Sequence, residues 1–317
     1  MIKIGIIGGA GYTAGELCRI LLNHPEAEIV FVNSESNAGN LLTDVHEGLY
    51  GETDLRFTDK LPFDQVDVVF FCFGHGKAEH YIPADVRIID LAQDFRLAAD
   101  DNDYVYGLPE LNRSQIQNTL HVANPGCFAT CIQLGLLPLA EAGLLQGDIA
   151  VNAITGSTGA GVKPGATTHF SWRTGNMSIY KAFEHQHVPE IKQSLRQLQS
   201  TFNSEIDFIP YRGDFPRGIF ATEVIQCEAP IEEIEGYYHD FYSEAPFTHY
   251  ISKPIDLKQV VNTNKCLIHA ERHRDKLLVS VCIDNLLKGA SGQAVQNMNL
   301  MFGLEEDTGL RLKPVAF

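Results

Sequence analysis

The chain has 317 residues, 44% hydrophobic and 20% charged, enough for two globular domains with separate cores and too apolar for a disordered polymer. Lys and Arg number 24 against 40 Asp and Glu, and the resulting formal charge of −16 excludes nucleic acid and anionic membranes as partners. No apolar run approaches the roughly 20 residues that cross a bilayer; no signal-peptide pattern opens the chain, and seven scattered cysteines form neither a disulfide framework nor a CxxC pair, so the expected location is cytoplasmic.

Short runs apolar at nearly every position, at 2–8, 28–33, 66–73, 86–92 and 120–124, alternate with helix-like stretches. They predict a parallel sheet covered on both faces, the doubly wound Rossmann-type α/β pattern. Between the first two runs, Leu17, Ile20, Leu21 and His24 lie at helical spacing, and Pro25 stops that helix.

"GIIGGAGYTAGE" joins the first strand to this helix, the context a phosphate-binding loop requires. Gly8 and Gly11 allow the backbone to approach a pyrophosphate, and Gly8, Gly11, Tyr12, Thr13 and Ala14 are the candidate cofactor contacts. The spacing departs from G-x-G-x-x-G, and a tight strand-to-helix turn is the competing reading. At the end of the second strand, Ser34 and Ser36 offer hydroxyls to the 2′-phosphate of NADP, whereas Glu35 favours the free hydroxyl of NAD; NADP is the expected cofactor.

Asn124 as N-cap and Pro125 as first helical residue would put Cys127 in the first turn of the next helix, where unpaired amides and the dipole favour a thiolate. The rival reading is a small hydrophobe filling a turn. Cys131, one turn on and aligned with Leu134, reads as packing.

From about residue 148 the runs alternate apolar and polar, as in 218–228 and 265–284, the latter a hairpin turning near "HRDK". A helix with Ile191, Leu195, Leu198 and Phe202 on one stripe interrupts them, so this part reads as α+β with a mixed or antiparallel sheet. The loop at 154–165 supplies Thr155, Ser157 and Thr158 and a glycine-rich turn fit to cradle an anion, though such loops are as often only turns. In "AFEHQHVPEIKQ", chain extended up to Pro189 would align His185 and His187 on one face, with Glu190 in the following helical turn. That set suits a proton shuttle to a thiolate; a metal site and a solvated surface are the alternatives. Arg217 is suited to a bidentate grip on a carboxylate, with Lys163 and Arg173 as weaker anion candidates. The final helix, 288–304, could return to the first domain. The domains read as 1–147 plus 288–317 for the dinucleotide, and 148–287 for substrate and self-association.

"GGAGYTAGEL", "SESNAG", "GHGKA", "IDLAQDFRL", "YGLPEL", "NPGCFAT", "GSTGAG", "HQHVPEI", "PRGI" and "DNLLKGASGQAVQNMNL" follow one another as in the N-acetyl-γ-glutamyl-phosphate reductase family, which the chain resembles over nearly its whole length. The resemblance implies an NADP-dependent reduction of an acyl phosphate in arginine biosynthesis, with Cys127 as nucleophile, His185, His187 and Glu190 handling protons and substrate, and Arg217 binding substrate. No metal is expected, since no further ligands stand beside the histidines, and an exposed sheet face in the second domain suits self-association as a homodimer or homotetramer. Departures are Ala14 at the last glycine of the family loop, Gln186 where a basic residue is common between the histidines, and Glu35 where an arginine is common. The alternatives are the related aspartate-semialdehyde dehydrogenase, with the same chemistry on a shorter substrate, and a silent dinucleotide-binding regulator with an unreactive Cys127.

Overall fold

The computed structural model describes residues 1–74, 86–99 and 101–315. Of the motifs above, "GHGKA" lies outside them from its second residue on. The chain divides into two compact units, Met1–Pro125 with Ala290–Arg311, and Gly126–Gly289 with the chain from Leu312. The division therefore falls at Pro125 and not near 147.

The first unit is built on a parallel sheet. Its strands are β1 (Ile2–Ile7), β2 (Ala27–Asn33), β3 (Phe57–Thr58), β4 (Val68–Phe71), β5 (Arg87–Asp90), β6 (Val105–Tyr106) and β7 (His121–Ala123), in the order β3-β2-β1-β4-β5-β7-β6. Ile4, Ile6, Val68, Val69, Phe70, Phe71, Ile88 and Ile89 are each 0% exposed, so the uninterrupted apolar runs are strands covered on both faces. The two-residue edge strands β3 and β6 are too short to carry a period, and sequence patterning missed them. Strand order reverses beside β1, which places the loop after it at the switch point where such sheets bind ligands.

Helix α1 (Tyr12–Leu21) stops short of Pro25, and His24 lies beyond it, buried with Nε2 3.0 Å from Asn299 Oδ1. Helix α2 (Pro109–Gln117) completes the N-terminal part of this unit. Asn124 caps no helix: its amide bonds to Asp90 O in continuation of the β5–β7 pairing, while its side chain donates to Ala290 O and accepts from Asn297. With Asn124 spent on the sheet, the next helix opens two residues later.

That helix, α3 (Cys127–Glu141), belongs to the second unit and is buried from Phe128 to Ala140. It packs on a mixed sheet of β8 (Gln146–Thr155), β9 (Ser178–Ile179), β10 (Ile206–Arg212), β11 (Ile219–Gln226), β12 (Thr248–Tyr250), β13 (Cys266–His273) and β14 (Lys276–Ile283), ordered β12-β13-β14-β11-β8-β10-β9. The β13–β14 hairpin turns at Arg274, whose φ of 60° is the left-handed geometry a two-residue turn needs. Around the sheet lie α4 (Phe170–Arg173), α5 (Val188–Leu198) and α6 (Ile231–Phe241). In α5 the stripe of Ile191 and Leu195 is fully buried, while Phe202 packs from beyond the helix end. Finally, α7 (Gly292–Met301) returns to the first unit and packs on α1 and α2. Among the described residues, no helix is long and apolar enough to cross a membrane.

Glu223 of β11 is 0% exposed, and neither carboxyl oxygen has a hydrogen-bond partner. A Cβ on Gly135 of α3 would come within 2.2 Å of its Oε2, so the missing side chain at 135 makes the space the carboxyl occupies. Burial raises this acid's pKa well above the ordinary 4.5, and it is carried neutral in the fold. An acid whose folded pKa is raised imposes no penalty below its unfolded pKa and a growing one above it, up to the folded pKa. Glu223→Gln is therefore expected to melt no differently from the parent near pH 4.5 and at higher temperature by pH 8, as scanning calorimetry at both pH values would read; equal melting temperatures at pH 8 would refute a neutral Glu223.

Candidate functional site

In the first unit, Gly8 follows β1 with φ at 82°, and a Cβ there would lie 2.8 Å from the backbone of Cys72 and Phe73. Only glycine fits that approach. The first hydrogen bond of α1 runs from Gly15 N to Gly11 O, so the amides of Tyr12, Thr13 and Ala14 have no acceptor inside the helix and stand as an anion-binding end. The side chain of Ala14 is fully buried, leaving its amide as the group it can offer a ligand. A cavity of about 340 Å³ joins this loop to the end of β2, lined by Gly8, Ala10, Gly11, Ser34, Glu35 and Ser36 among others. Of the residues expected to hold a dinucleotide, Gly8, Gly11, Ser34 and Ser36 share this concavity, while Tyr12, Thr13 and Ala14 do not line it. Both Ser34 Oγ and Ser36 Oγ accept from Asn37 Nδ2, at 3.0 and 3.1 Å, which turns their hydroxyl protons elsewhere.

In the second unit, Cys127 is the first residue of α3, and Gly126 is the N-cap with extended φ and ψ of −68° and 150°. Cys127 is partly exposed, whereas Cys131 is fully buried, its Sγ 3.7 Å from Val281 O. Burial pushes the Cys131 thiol well above its ordinary pKa and confirms it as packing.

The peptide before Cys127 is gripped from two sides. Glu190, 3% exposed in the first turn of α5, accepts the Gly126 amide at 3.0 Å through Oε2. The ring of His187 packs on Gly126 so closely that a Cβ there would lie 2.4 Å from Nε2. A third contact comes from Gly289, where a Cβ would meet Cys127 Cβ at 2.9 Å. Gly126 and Gly289 were given no role from sequence, although "NPGC" and "LLKGASG" carry both.

The segment His185–His187 is a turn and not extended chain: His187 has helical φ and ψ, and its amide donates to His185 Nδ1 at 3.3 Å. The two rings nonetheless meet, edge to face, with centroids 4.6 Å apart. His185 sits among Phe128, Tyr180 and Phe208, and burial, with Lys181 adding to it, lowers its pKa to about 4. It is a neutral base at pH 7 that holds the His187 backbone, while His187 is the ring beside the thiol's helix. Among the described residues, no group of three or more His, Cys, Asp and Glu side chains is arranged to hold a metal ion.

The expected grip of Arg217 on a substrate carboxylate is made instead on Asp284, with Nε–Oδ2 at 3.0 Å and Nη2–Oδ1 at 3.2 Å. Asp284 is fully buried and also accepts the amides of Asn262 and Leu286, so this pair ties β11 to the chain leading to Gly289. Thr158 is similarly occupied, its hydroxyl donating to Pro216 O and accepting from Asn285. These internal partners engage both side chains within the fold, which no residue spacing reveals. By contrast, Thr155 Oγ1 is buried without a partner, and Ser157 is partly exposed. Lys163 is exposed and Arg173 buried.

Comparisons with known proteins agree with this division of labour. Residues 3–119 match the semialdehyde dehydrogenase NAD binding domain, and residues 127–285 the semialdehyde dehydrogenase dimerisation domain. Proteins named N-acetyl-gamma-glutamyl-phosphate reductase from Bacteroides thetaiotaomicron and Phocaeicola vulgatus are each 71% identical over 100% of both chains, and one from Christiangramia forsetii is 54% identical over the same span. Among solved structures, aspartate semialdehyde dehydrogenase II from Vibrio cholerae superposes with a TM-score of 0.73 at 18% identity, covering 96% of this chain and 99% of that one. Aspartate semialdehyde dehydrogenase with NADP from Candida albicans gives 0.73 at 15% identity, covering 95% and 99%. At such identities the likeness is one of fold.

Gly126→Ala would drive a methyl group into the His187 ring. It is expected to slow alkylation of Cys127 by about tenfold, within the range that displacing a group by about 1 Å produces, and to leave dinucleotide binding unchanged; an unaltered labelling rate would show that the His187 contact does not govern the thiol.

Proposed function

The chain belongs to the N-acetyl-γ-glutamyl-phosphate reductase family of semialdehyde dehydrogenases, and we propose that it reduces its acyl phosphate with NADPH through a thioester on Cys127. The reaction converts N-acetyl-γ-glutamyl phosphate to N-acetylglutamate 5-semialdehyde, a step of arginine biosynthesis. The observation that carries the cysteine assignment is the partly exposed Cys127 at the first position of α3, next to the Gly126 on which the His187 ring packs, with its twin Cys131 sealed in the core.

Thiolate attack on the γ-acyl carbon forms the S–C bond, and phosphate departs with the electron pair of the C–O bond. Amides opening α3 are the natural donors to oxygen charge developing on that carbon. Bound NADPH supplies the hydride that turns the thioester into a hemithioacetal. His187 protonates the hemithioacetal oxygen and takes the proton back as the C–S bond breaks, which releases the aldehyde and restores the thiolate. Glu190 holds the Gly126 peptide in register for these steps, and His185, neutral, sets the His187 backbone. Thr155 and Ser157 contact substrate, while Arg217 acts through Asp284 as a positioning residue. The helix-terminal amides and the cavity at Ser34 and Ser36 suit a dinucleotide with a 2′-phosphate, and NADP is the preferred cofactor despite Glu35 at the rim. Self-association as a homodimer or homotetramer runs through the second unit, whose residues 127–285 match a dimerisation domain. The cytoplasm is the compartment, in keeping with free thiols.

Relatives at 54–71% identity favour the glutamyl substrate over the shorter aspartyl one. The test is reduction of NADP by N-acetylglutamate semialdehyde with phosphate present, measured alongside aspartate semialdehyde and NAD. Cys127→Ala is expected to lose on the order of 10³-fold or more in turnover, as enzymes do on losing a nucleophile, while binding NADP as the parent does. Substantial turnover by that variant, or preference for aspartate semialdehyde, would refute the reading.

A further inference from the structure

Four groups in the second unit stand in an arrangement of which the reaction scheme uses only Thr155. Arg173 closes α4 and is 7% exposed, yet among the described residues its Nε and Nη2 have no hydrogen-bond partner. A buried guanidinium edge without an acceptor is costly and marks a place where an acceptor binds. Those two nitrogens form the edge that Arg217 uses on the Asp284 carboxylate, which shows what the edge fits.

Beside it, three strands bring a row of polar side chains to one face. Arg212 of β10 is in register with Thr155 of β8 and with Ser178 of β9, and paired neighbours point to the same side of a sheet. Ser178 Oγ and Thr155 Oγ1 are both buried and unpartnered. The Arg212 guanidinium lies 3.9 Å above the Tyr180 ring and makes no ion pair among the described residues. Arg173 and Arg212 are close enough to repel: burial first and Arg212 second lower the pKa of Arg173, offset in part by Asp214 and Tyr180. Asp214, the nearest carboxylate in this balance, is exposed and accepts the Gly175 amide. In a chain of formal charge −16, two guanidinium groups that repel one another stand out as a place for an anion. The row also leads to the thiol, because Tyr180 packs edge to face on His185 at 5.8 Å and feels the charge of Cys127.

We propose that Arg173 and Arg212, with the hydroxyls of Thr155 and Ser178, form an oxyanion subsite that grips a carboxylate or phosphate of the substrate by its two oxygens. The assignment rests on the acyl-phosphate reading above, which supplies three such groups: the phosphate, the α-carboxylate, and any carboxylate borne by the N-acyl group.

Equilibrium binding to the full chain with NADP present tests it, using inorganic phosphate, N-acetylglutamate, and glutamate N-acylated with a dicarboxylic acid. Arg173→Gln is expected to weaken at least one probe tenfold or more and Arg212→Gln to weaken the same one, with NADP affinity unchanged within twofold. Arg173→Lys, which keeps the charge and loses the two-nitrogen edge, should fall between and serves if the glutamine variant does not fold. Loss for phosphate alone assigns the subsite to the leaving group, loss for both glutamates to the α-carboxylate, and loss for the dicarboxylic derivative alone to the acyl end. Unchanged affinity for all three probes in variants that still bind NADP would overturn the subsite. Turnover of N-acetylglutamate semialdehyde by the parent is read separately, so failure of the proposed reaction is distinguishable from failure of the subsite.

Discussion

The chemistry of the second unit depends on one hydrogen bond, from the Gly126 amide to the buried carboxylate of Glu190. It fixes the peptide that precedes Cys127, and a charged acceptor makes such a bond worth about 1.5–3 kcal/mol. Because Glu190 sits in the first turn of α5 and His187 immediately precedes that helix, the same bond brings the His187 ring onto Gly126. A side chain at 126 would separate them. Two helix starts are thus locked together, one supplying Cys127 and the other the His187 ring and the Glu190 carboxylate.

Burial then sorts residues of the same type into different tasks. Cys127 and Cys131 are one helical turn apart, and only the first reaches solvent. His185 and His187 touch, yet aromatic surroundings hold His185 neutral as a spacer. Arg217 has a carboxylate partner inside the fold, and Arg173 has none among the described residues. Neutral Glu223 occupies the cleft opened by Gly135, where Tyr238 and Tyr242 also bond to carbonyls of α3. The helix that opens with Cys127 is therefore fastened along its length by polar groups buried beneath it.

Much of this was legible in the amino-acid sequence, for physical reasons that also explain the gaps. Strands covered on both faces leave uninterrupted apolar runs, so β1, β2, β4, β5 and β7 could be read directly, while two-residue β3 and β6 left no pattern. The glycine loop and the serines after β2 are contiguous with their strands, and they share one cavity. The start of α3 was misplaced because Asn124 and Pro125 have good capping chemistry, and only tertiary pairing shows that Asn124 continues the sheet. The internal partners of Arg217 and Thr158 were hidden for a similar reason: Asp284 and Asn285 lie far along the chain. Arg212, Ser178 and Tyr180 are polar residues of ordinary strands in sequence and become a group only through register.

The central claim is that acyl transfer passes through the Cys127 sulfur. Mixing the protein with NADP and N-acetylglutamate semialdehyde in the absence of phosphate isolates that half of the reaction, since nothing is then present to resolve a thioester rapidly. The account predicts a burst of one NADPH per active site, with the acylglutamyl mass on the peptide containing Cys127 and none on that of Cys131. A burst with no adduct on Cys127, or steady NADPH formation without phosphate, would contradict it.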